Sequence, residues 1–101
     1  MEFRLLGPLE VRTRGRALPL GGPKQRAVLA MLLLHANEVV SVERLIDELW
    51  GERPPKAVVP SIQNSVARLR RTIGRDRIER RPPGYVLRAR DEEVDAAVFE
   101  R

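Results

Sequence analysis

The spacing of apolar residues changes along the chain, and each spacing predicts a different element. Residues 2–20 alternate apolar and polar side chains between tight turns, which predicts a small antiparallel sheet. Residues 24–36 are apolar almost all round, and a helix of that kind lies in the core of a small domain. Pro23 suits the first position of this helix, and Asn37 suits a left-handed cap after it.

Two further helices are predicted downstream. Ser41 is a suitable N-cap for the first of them, and Gly51 ends it. The second carries one apolar stripe with spacings of four, three and four residues: Ile62, Val66, Leu69 and Ile73. Pro60 lacks an N–H group and is harmless only in the first helical turn. We therefore expect this helix to begin nearer Val59 than Ala57.

The remaining faces of this third helix are polar and have no acidic residue. They carry hydroxyl, amide and guanidinium groups: Ser61, Gln63, Asn64, Ser65, Arg68, Arg70, Arg71 and Thr72. An ordinary solvated helix mixes Glu with Lys, whereas the groups found here are those that contact base edges and phosphates. Two helices joined by a short turn to a third of this character form a helix-turn-helix. We interpret the third helix as a DNA-recognition helix.

A β-hairpin is predicted directly after the recognition helix. Ile78 suits one strand, Tyr85 and Leu87 suit the other, and Arg80 and Arg81 lie at the tip with two prolines. A hairpin in this position is the wing of a winged helix. The predicted fold class is therefore α+β, a winged helix-turn-helix with an N-terminal antiparallel sheet, three helices and a C-terminal hairpin.

Charge is distributed unevenly along the chain, whose net charge is +5. Residues 53–90 carry eleven basic and two acidic side chains, whereas residues 91–101 carry one basic and five acidic. A basic block confined to one region is typical of a surface that binds a polyanion. We assign residues 1–90 to a DNA-binding domain, and residues 91–101 to a linker and the truncated start of a following helical domain.

Several function classes are disfavoured by composition. The chain has no cysteine, which excludes disulfides and thiolate metal sites and fits a reducing compartment. No apolar run reaches membrane-spanning length and no signal peptide is recognisable, so we expect a cytoplasmic protein with no membrane partner. His35 is the only histidine and lies among leucines at a helix end, which disfavours a histidine-based catalytic dyad and excludes a multi-histidine metal site. We expect no enzyme activity and no cofactor.

The motifs together resemble the N-terminal DNA-binding domain of the SARP regulators, the antibiotic regulatory proteins of actinobacteria. The segments that carry the resemblance are Lys24-x-Arg26-Ala27-x-Leu29-Ala30-x-Leu32-Leu33-Leu34, Val40-Ser41, Leu45-x-x-x-Leu49-Trp50-Gly51, Pro54-Pro55, Val66-x-Arg68-Leu69-Arg70-Arg71 and Gly84-Tyr85-x-Leu87. The tail, Val94-Asp95-Ala96-x-x-Phe99, is similar to the start of the helical bacterial transcriptional activation domain that follows in that family.

The resemblance implies an OmpR/PhoB-type winged helix and a role in transcriptional activation of secondary-metabolite (antibiotic) biosynthesis genes. It also implies binding to tandem direct repeats in double-stranded DNA, with copies side by side and in contact with RNA polymerase. The recognition helix would lie in the major groove and the wing in the minor groove.

We predict two sets of DNA contacts. The base contacts are Asn64, Ser65, Arg68 and Arg81, where the choice of Arg81 over its neighbour follows the resemblance. The backbone contacts are Ser61, Gln63, Arg70, Arg71, Thr72, Trp50, Arg80 and Tyr85. Several of these have a purely structural alternative. Trp50 and Tyr85 suit core packing, the stem of Arg70 or Arg71 suits packing on the core, and the remaining polar groups suit a solvated surface.

One alternative function is a winged-helix protein-interaction module that applies its basic face to an acidic partner such as the transcription machinery. Asn64, Ser65 and Gln63 beside Arg68 suit base edges better than a carboxylate surface. RNA binding is disfavoured because the only Trp and the only Tyr, which would stack on bases, both suit the core.

Overall fold

The N-terminal residues form the predicted antiparallel sheet in the computed structural model, which describes residues 1–95. Strands β1 (Glu2–Arg4), β2 (Glu10–Thr13) and β3 (Arg16–Ala17) pair in the order β1-β2-β3. Phe3 lies opposite Val11 in this register, and both side chains are fully buried. Alternation therefore directs one face of the sheet into the core, as the sequence predicts.

Three helices follow the sheet: α1 (Pro23–Leu34), α2 (Val42–Trp50) and α3 (Val58–Ile73). Helix α1 ends two residues earlier than predicted, at Leu34 rather than Ala36, and the turn after it places Asn37 in the left-handed region with φ 68°. The Asn37 side chain accepts a hydrogen bond from the Ala89 N–H and donates one to the Ala89 carbonyl. Asn37, whose left-handed conformation was predicted, thus connects the end of α1 to Ala89, which follows the hairpin.

The predicted boundaries of α2 are confirmed. The Ser41 hydroxyl caps α2 by accepting a hydrogen bond of 3.0 Å from the Arg44 N–H, and Gly51 ends the helix with φ 70°. Helix α3 begins at Val58, midway between Ala57 and Val59, so its start is not nearer Val59 as predicted, and Pro60 is its third residue. An N–H at that position has no partner within the helix, and the proline therefore removes no helical hydrogen bond.

A second sheet contains the predicted hairpin and one strand that the sequence pattern did not indicate. Strands β5 (Ile78–Arg81) and β6 (Gly84–Leu87) form the hairpin, and β4 (Val40–Ser41) pairs with β6, which gives the order β4-β6-β5. A two-residue strand is too short to show alternation. Strand β4 approaches β6 closely at Gly84, where an added Cβ would lie 1.8 Å from the Val40 carbonyl oxygen.

The core lies between the helices and the two sheets. The apolar stripe of α3, namely Ile62, Val66, Leu69 and Ile73, is at most 3% exposed. It packs in one cluster with the apolar residues of α1, among them Val28, Leu29, Leu32 and Leu33. Packing on this stripe fixes the rotation of α3 and determines which of its polar residues face outward.

Residues 91–95 pack against the rest of the domain, although their composition predicted a linker. A short 3₁₀ turn at Asp91–Glu93 buries Glu93, and Val94 forms a parallel bridge to Phe3. The Asp95 carboxylate accepts a 2.6 Å hydrogen bond from the Leu5 N–H. The charge pattern could not show this docking, because the acidic residues that suggested a linker include the one that is buried. The helix predicted from Val94 onward falls largely on residues 96–101, outside the described residues.

Candidate nucleic-acid interface

Four predicted DNA contacts line one concave surface between α3 and the N-terminal end of α1. Its lining residues are Gln25, Ala57, Pro60, Ser61, Asn64, Ser65 and Arg68, and its volume is about 330 Å³. Asn64 and Arg68 are exposed and lie four residues apart, on adjacent turns of α3. No ion pair involves Arg68 within residues 1–95. An amide and an unpaired guanidinium therefore project together from α3.

Ser65 lies deeper than the sequence analysis expected. It is only 9% exposed, because it is three residues after Ile62 and four before Leu69, next to the apolar stripe. Its side chain lies on the flank of α3 that faces α1, at the wall of the concavity rather than on the outer face with Asn64. Ser61 is half-buried beside it.

The side chains of Thr72 and Arg70 both donate hydrogen bonds to backbone carbonyls of the protein. The Thr72 hydroxyl donates a 3.2 Å hydrogen bond to the Arg68 carbonyl, one turn back in the same helix. The Arg70 Nε–H donates a 2.9 Å hydrogen bond to the Ile78 carbonyl, so this side chain connects α3 to β5. Arg71 is exposed and lines a basic depression together with Arg70, Ala67 and Arg75. Arg75, which follows α3, was not among the predicted site residues.

A narrow notch separates the start of α3 from the wing. It has a volume of about 120 Å³ and is lined by Val42, Val59, Ile62, Gln63, Arg80, Pro82, Pro83, Gly84 and Tyr85. Gln63 and Arg80 are exposed there, one on each side, whereas Tyr85 is 95% buried and belongs to the core cluster. The structure thus brings predicted contacts from the helix and the wing to the two walls of one notch.

The arginines of the wing differ in their surroundings. Arg80 and Arg81 are both exposed, and Arg81 Nε lies 3.4 Å from the Glu79 carboxylate. Glu79 also lies 3.5 Å from Arg88 Nε. This pair holds Arg81 only weakly, because its side chain is 59% exposed and an ion pair in solvent contributes little.

Trp50, at the end of α2, packs partly against the core cluster. Lys24 Nζ lies 4.6 Å from the centre of the Trp50 ring and donates a 2.7 Å hydrogen bond to the Leu49 carbonyl. Arg26 donates a hydrogen bond to the Leu9 carbonyl. These two cations of α1 therefore have partners within the protein.

A buried ion pair fixes the base of the wing to the residues that follow it. Both Arg77 Nη atoms donate 2.7 Å hydrogen bonds to the Glu93 carboxylate, which is 4% exposed. These hydrogen bonds lower the pKa of Glu93 from 4.5 to about 2, against the opposing effect of burial, and the Arg90 N–H contributes in the same direction. The same pairing raises the pKa of Arg77. Both groups are therefore charged at neutral pH.

Within residues 1–95, no group of three acidic or histidine side chains is arranged to hold a metal ion. None of the helices described in that range is long and apolar enough to cross a membrane.

The arrangement of the elements defines a class of protein. A third helix with an acid-free outer face lies between the first helix and a basic hairpin, as in the winged helix-turn-helix DNA-binding domains of the OmpR/PhoB type. In agreement, residues 15–87 match the family model described as "Transcriptional regulatory protein, C terminal". The sequence-based prediction of the fold class is confirmed.

Relatives give a narrower assignment. The chain is 44% identical over 93 residues to the transcriptional regulatory protein MoaR1 of Mycobacterium tuberculosis, covering 86% of this chain and 30% of that protein. It is 31% identical over 112 residues to the regulatory protein DnrI of Streptomyces peucetius, covering 100% of this chain and 41% of that protein. The solved structure of Mycobacterium tuberculosis EmbR in complex with a low affinity phosphopeptide superposes with a TM-score of 0.92 at 42% identity, covering 97% of this chain and 27% of EmbR.

The chain belongs to the SARP family of actinobacterial transcriptional regulators, within which it corresponds to the DNA-binding domain. It spans less than half the length of each of these relatives.

Proposed function

We propose that this domain binds tandem direct repeats in double-stranded DNA, with α3 in the major groove and the hairpin β5–β6 in the adjacent minor groove. The observation that carries the proposal is the joint projection of Asn64 and Arg68 from an acid-free concave surface. Arginine pairs with guanine through two hydrogen bonds, and asparagine does the same with adenine. A surface that presents both groups on adjacent helical turns suits neighbouring base pairs.

The proposed base contacts are Asn64, Ser65 and Arg68 on α3, and Arg81 on the wing. Arg81 is exposed at the end of β5, where a hairpin tip can enter a minor groove. Narrow A·T-rich minor grooves have an enhanced negative potential that attracts arginine. The wing would therefore add a preference for A·T base pairs beside the sequence that α3 contacts.

The proposed backbone contacts surround these bases. On α3 they are Ser61, Gln63, Arg70, Arg71 and Thr72, on the wing they are Arg80 and Tyr85, and at the end of α2 it is Trp50. The Arg70 side chain reaches a phosphate only with its terminal nitrogens, because its Nε–H is bonded to Ile78. Contacts of this kind hold a protein in register on the duplex without reading its sequence.

The protein to which the domain belongs would activate transcription. Direct repeats spaced by about one helical turn, ~10 base pairs, would place copies side by side on one face of the duplex. We propose that such copies contact RNA polymerase and that the genes concerned direct secondary-metabolite synthesis, including antibiotics. These steps require no catalysis by the domain and take place in the cytoplasm with the chromosome.

The basic depression formed by Arg70, Arg71 and Arg75 favours a second candidate, a contact with an acidic protein such as a component of the transcription machinery. The two candidates predict different ligands for the face that carries Asn64 and Arg68. Only DNA binding predicts a preferred base sequence there.

Selection from a pool of random duplexes tests the proposal with the chain itself. The expected result is enrichment of a short motif that recurs in the same orientation at about one-turn spacing, ~10 base pairs. Enrichment of a single motif without a repeat would contradict the side-by-side arrangement. A pool that remains random, together with binding to an acidic peptide, would favour the protein-interaction function.

A further inference from the structure

Two polar side chains in the concavity between α1 and α3 are almost fully buried and have no protein partner. Gln25 and Ser65 are each 9% exposed, and neither side chain makes a hydrogen bond to any of residues 1–95. Their polar atoms still reach solvent, because the described part of the chain has no fully buried side-chain nitrogen or oxygen without a partner. Because these atoms are not bonded within the protein and open into the same concavity, they are available to bond a ligand there.

The concavity is suited to an anion. Its seven lining residues include two hydroxyls, two amides and the Arg68 guanidinium, and none of them is acidic. It lies at the N-terminal end of α1, where Gly22 provides no side-chain cap and the first turn has no acidic residue. The backbone N–H groups of a first helical turn have no partner within the helix, and the helix dipole favours negative charge there.

The conformation of the Gln25 amide depends on the glycine at position 21. Gly21 has φ 83°, and a Cβ at that position would lie 2.7 Å from Gln25 Nε2. The absence of a side chain at Gly21 therefore gives the amide its room. The Lys24 ammonium group is not counted among the groups that bind the anion, because it donates a hydrogen bond to the Leu49 carbonyl.

The location of the concavity relative to the recognition helix indicates which anion it takes. Asn64 and Arg68 lie on the exposed side of α3, whereas Ser65 lies on the flank that faces α1. With the exposed side in the major groove, that flank lies against the groove wall, which consists of sugar and phosphate. We propose that Gln25, Ser61 and Ser65 together bind one DNA phosphate at the N-terminal end of α1.

This assignment, which rests on the proposed DNA-binding function, changes the role of Ser65 from a base contact to a backbone contact. It also adds a residue outside α3 and the wing to the interface. Gln25 is then a phosphate-binding residue that fixes how deeply α3 enters the major groove. Its loss would weaken binding to all DNA sequences by a similar factor.

The test is the substitution Gln25→Glu in the chain as described, measured with the duplex selected above and with an unrelated duplex. Glu has almost the same shape as Gln, and an acid in the first turn is favourable for the helix, so the fold should be retained. The added negative charge would repel a phosphate. The expected result is a loss of affinity of about tenfold or more on both duplexes, without a lower melting temperature, since hydrogen bonds to charged groups are the stronger ones.

A matched control adds the same charge to the other end of the same helix. Leu34 is the last residue of α1 and is 49% exposed, so Leu34→Glu changes the net charge equally without approaching the concavity. Its effect on affinity should be less than about twofold at physiological salt, where charges further apart than a Debye length of ~8 Å are largely screened. Ser65→Ala provides a second variant that adds no charge and should also weaken both duplexes alike.

Replacing single phosphates with neutral methylphosphonates locates the contact. At one position, the methylphosphonate should weaken binding of the unaltered chain. At that same position it should restore part of the affinity that Gln25→Glu has lost. The proposal is overturned if Gln25→Glu and Ser65→Ala both bind as tightly as the unaltered chain, if their effect is confined to a changed base preference, or if no methylphosphonate position restores affinity to Gln25→Glu. Failure of the DNA-binding function itself would be seen differently, because the unaltered chain would then select no duplex.

Discussion

Arg68 illustrates how a single residue on α3 would confer sequence preference. Its side chain is exposed and unpaired with acids in residues 1–95. Replacing Arg68 with Ala should reduce discrimination at one base pair by about 1–3 kcal/mol, because one two-hydrogen-bond contact with guanine is lost. Competition binding with a panel of duplexes that differ at single positions measures this change.

Arg71→Ala serves as the control for Arg68, because Arg71 is exposed on the same helix and is proposed to contact phosphate. It should weaken all duplexes of the panel by the same factor. If Arg68→Ala also weakened them uniformly, Arg68 would be a backbone contact.

Gly84 shows a second residue-scale constraint, in the wing. Gly84→Ala would place a methyl group 1.8 Å from the Val40 carbonyl oxygen, so β4 and β6 could no longer pair at their present distance. The expected result is a loss of more than about 2 kcal/mol in the free energy of unfolding, as for other forced overlaps in a packed region. Urea denaturation measures it.

Gly22→Ala is the comparison for Gly84, since a Cβ at position 22 would meet no atom within 4 Å. It should cost less than about 1 kcal/mol, because Gly22 only caps α1 without a side-chain hydrogen bond. Equal losses for the two variants would show that β4 does not constrain Gly84.

At the scale of elements, the Arg77–Glu93 pair connects the wing to the 3₁₀ turn at Asp91–Glu93. The pKa of Glu93 is lowered in the folded state to about 2 from 4.5. The pair therefore contributes its full stability above about pH 4.5, and this contribution is lost as the pH falls through about 2. At neutral pH, Glu93→Gln should lower the free energy of unfolding by on the order of 3 kcal/mol.

Urea denaturation at several pH values tests the pair. The difference between the unaltered chain and Glu93→Gln should be largest near neutral pH and should shrink between about pH 4.5 and 2. Glu92→Gln is the matched control, because Glu92 is 72% exposed and should show almost no difference. A Glu93→Gln difference that is independent of pH would mean that the lost stability does not come from the charge on Glu93.

At the scale of the whole molecule, we expect the basic region between residues 53 and 90 to determine how the affinity for DNA changes with salt concentration. If about three of the proposed arginine contacts each neutralise one phosphate, the logarithm of the affinity should fall with the logarithm of salt concentration with a slope of roughly −3 per bound copy. Affinity would then decrease roughly 60-fold per copy between 50 and 200 mM salt. A titration by fluorescence anisotropy over this range measures the slope, and a flat response would exclude phosphate contacts by these residues.

The elements of this domain follow largely from local patterns. The stripe from Ile62 to Ile73 predicted the orientation of α3, and Ser41 predicted the start of α2, because helix periodicity and capping depend on residues only three or four positions apart. The sequence-based list placed Ser61, Asn64, Ser65 and Arg68 on one helix, and they do line one concavity. Whether each of them contacts DNA is a prediction.

The fold class, the helix α3 with its acid-free outer face and the basic region were therefore predictable from the sequence, because all three depend on residue chemistry and short spacings. Which surfaces these residues share depends on how the elements pack in three dimensions. The tertiary structure placed Gln25 of α1 beside Ser65 of α3, paired β4 with β6, and buried Glu93 against Arg77. The physical reason is that these contacts join positions far apart in the chain, and they form only when the apolar core has fixed how the elements pack together.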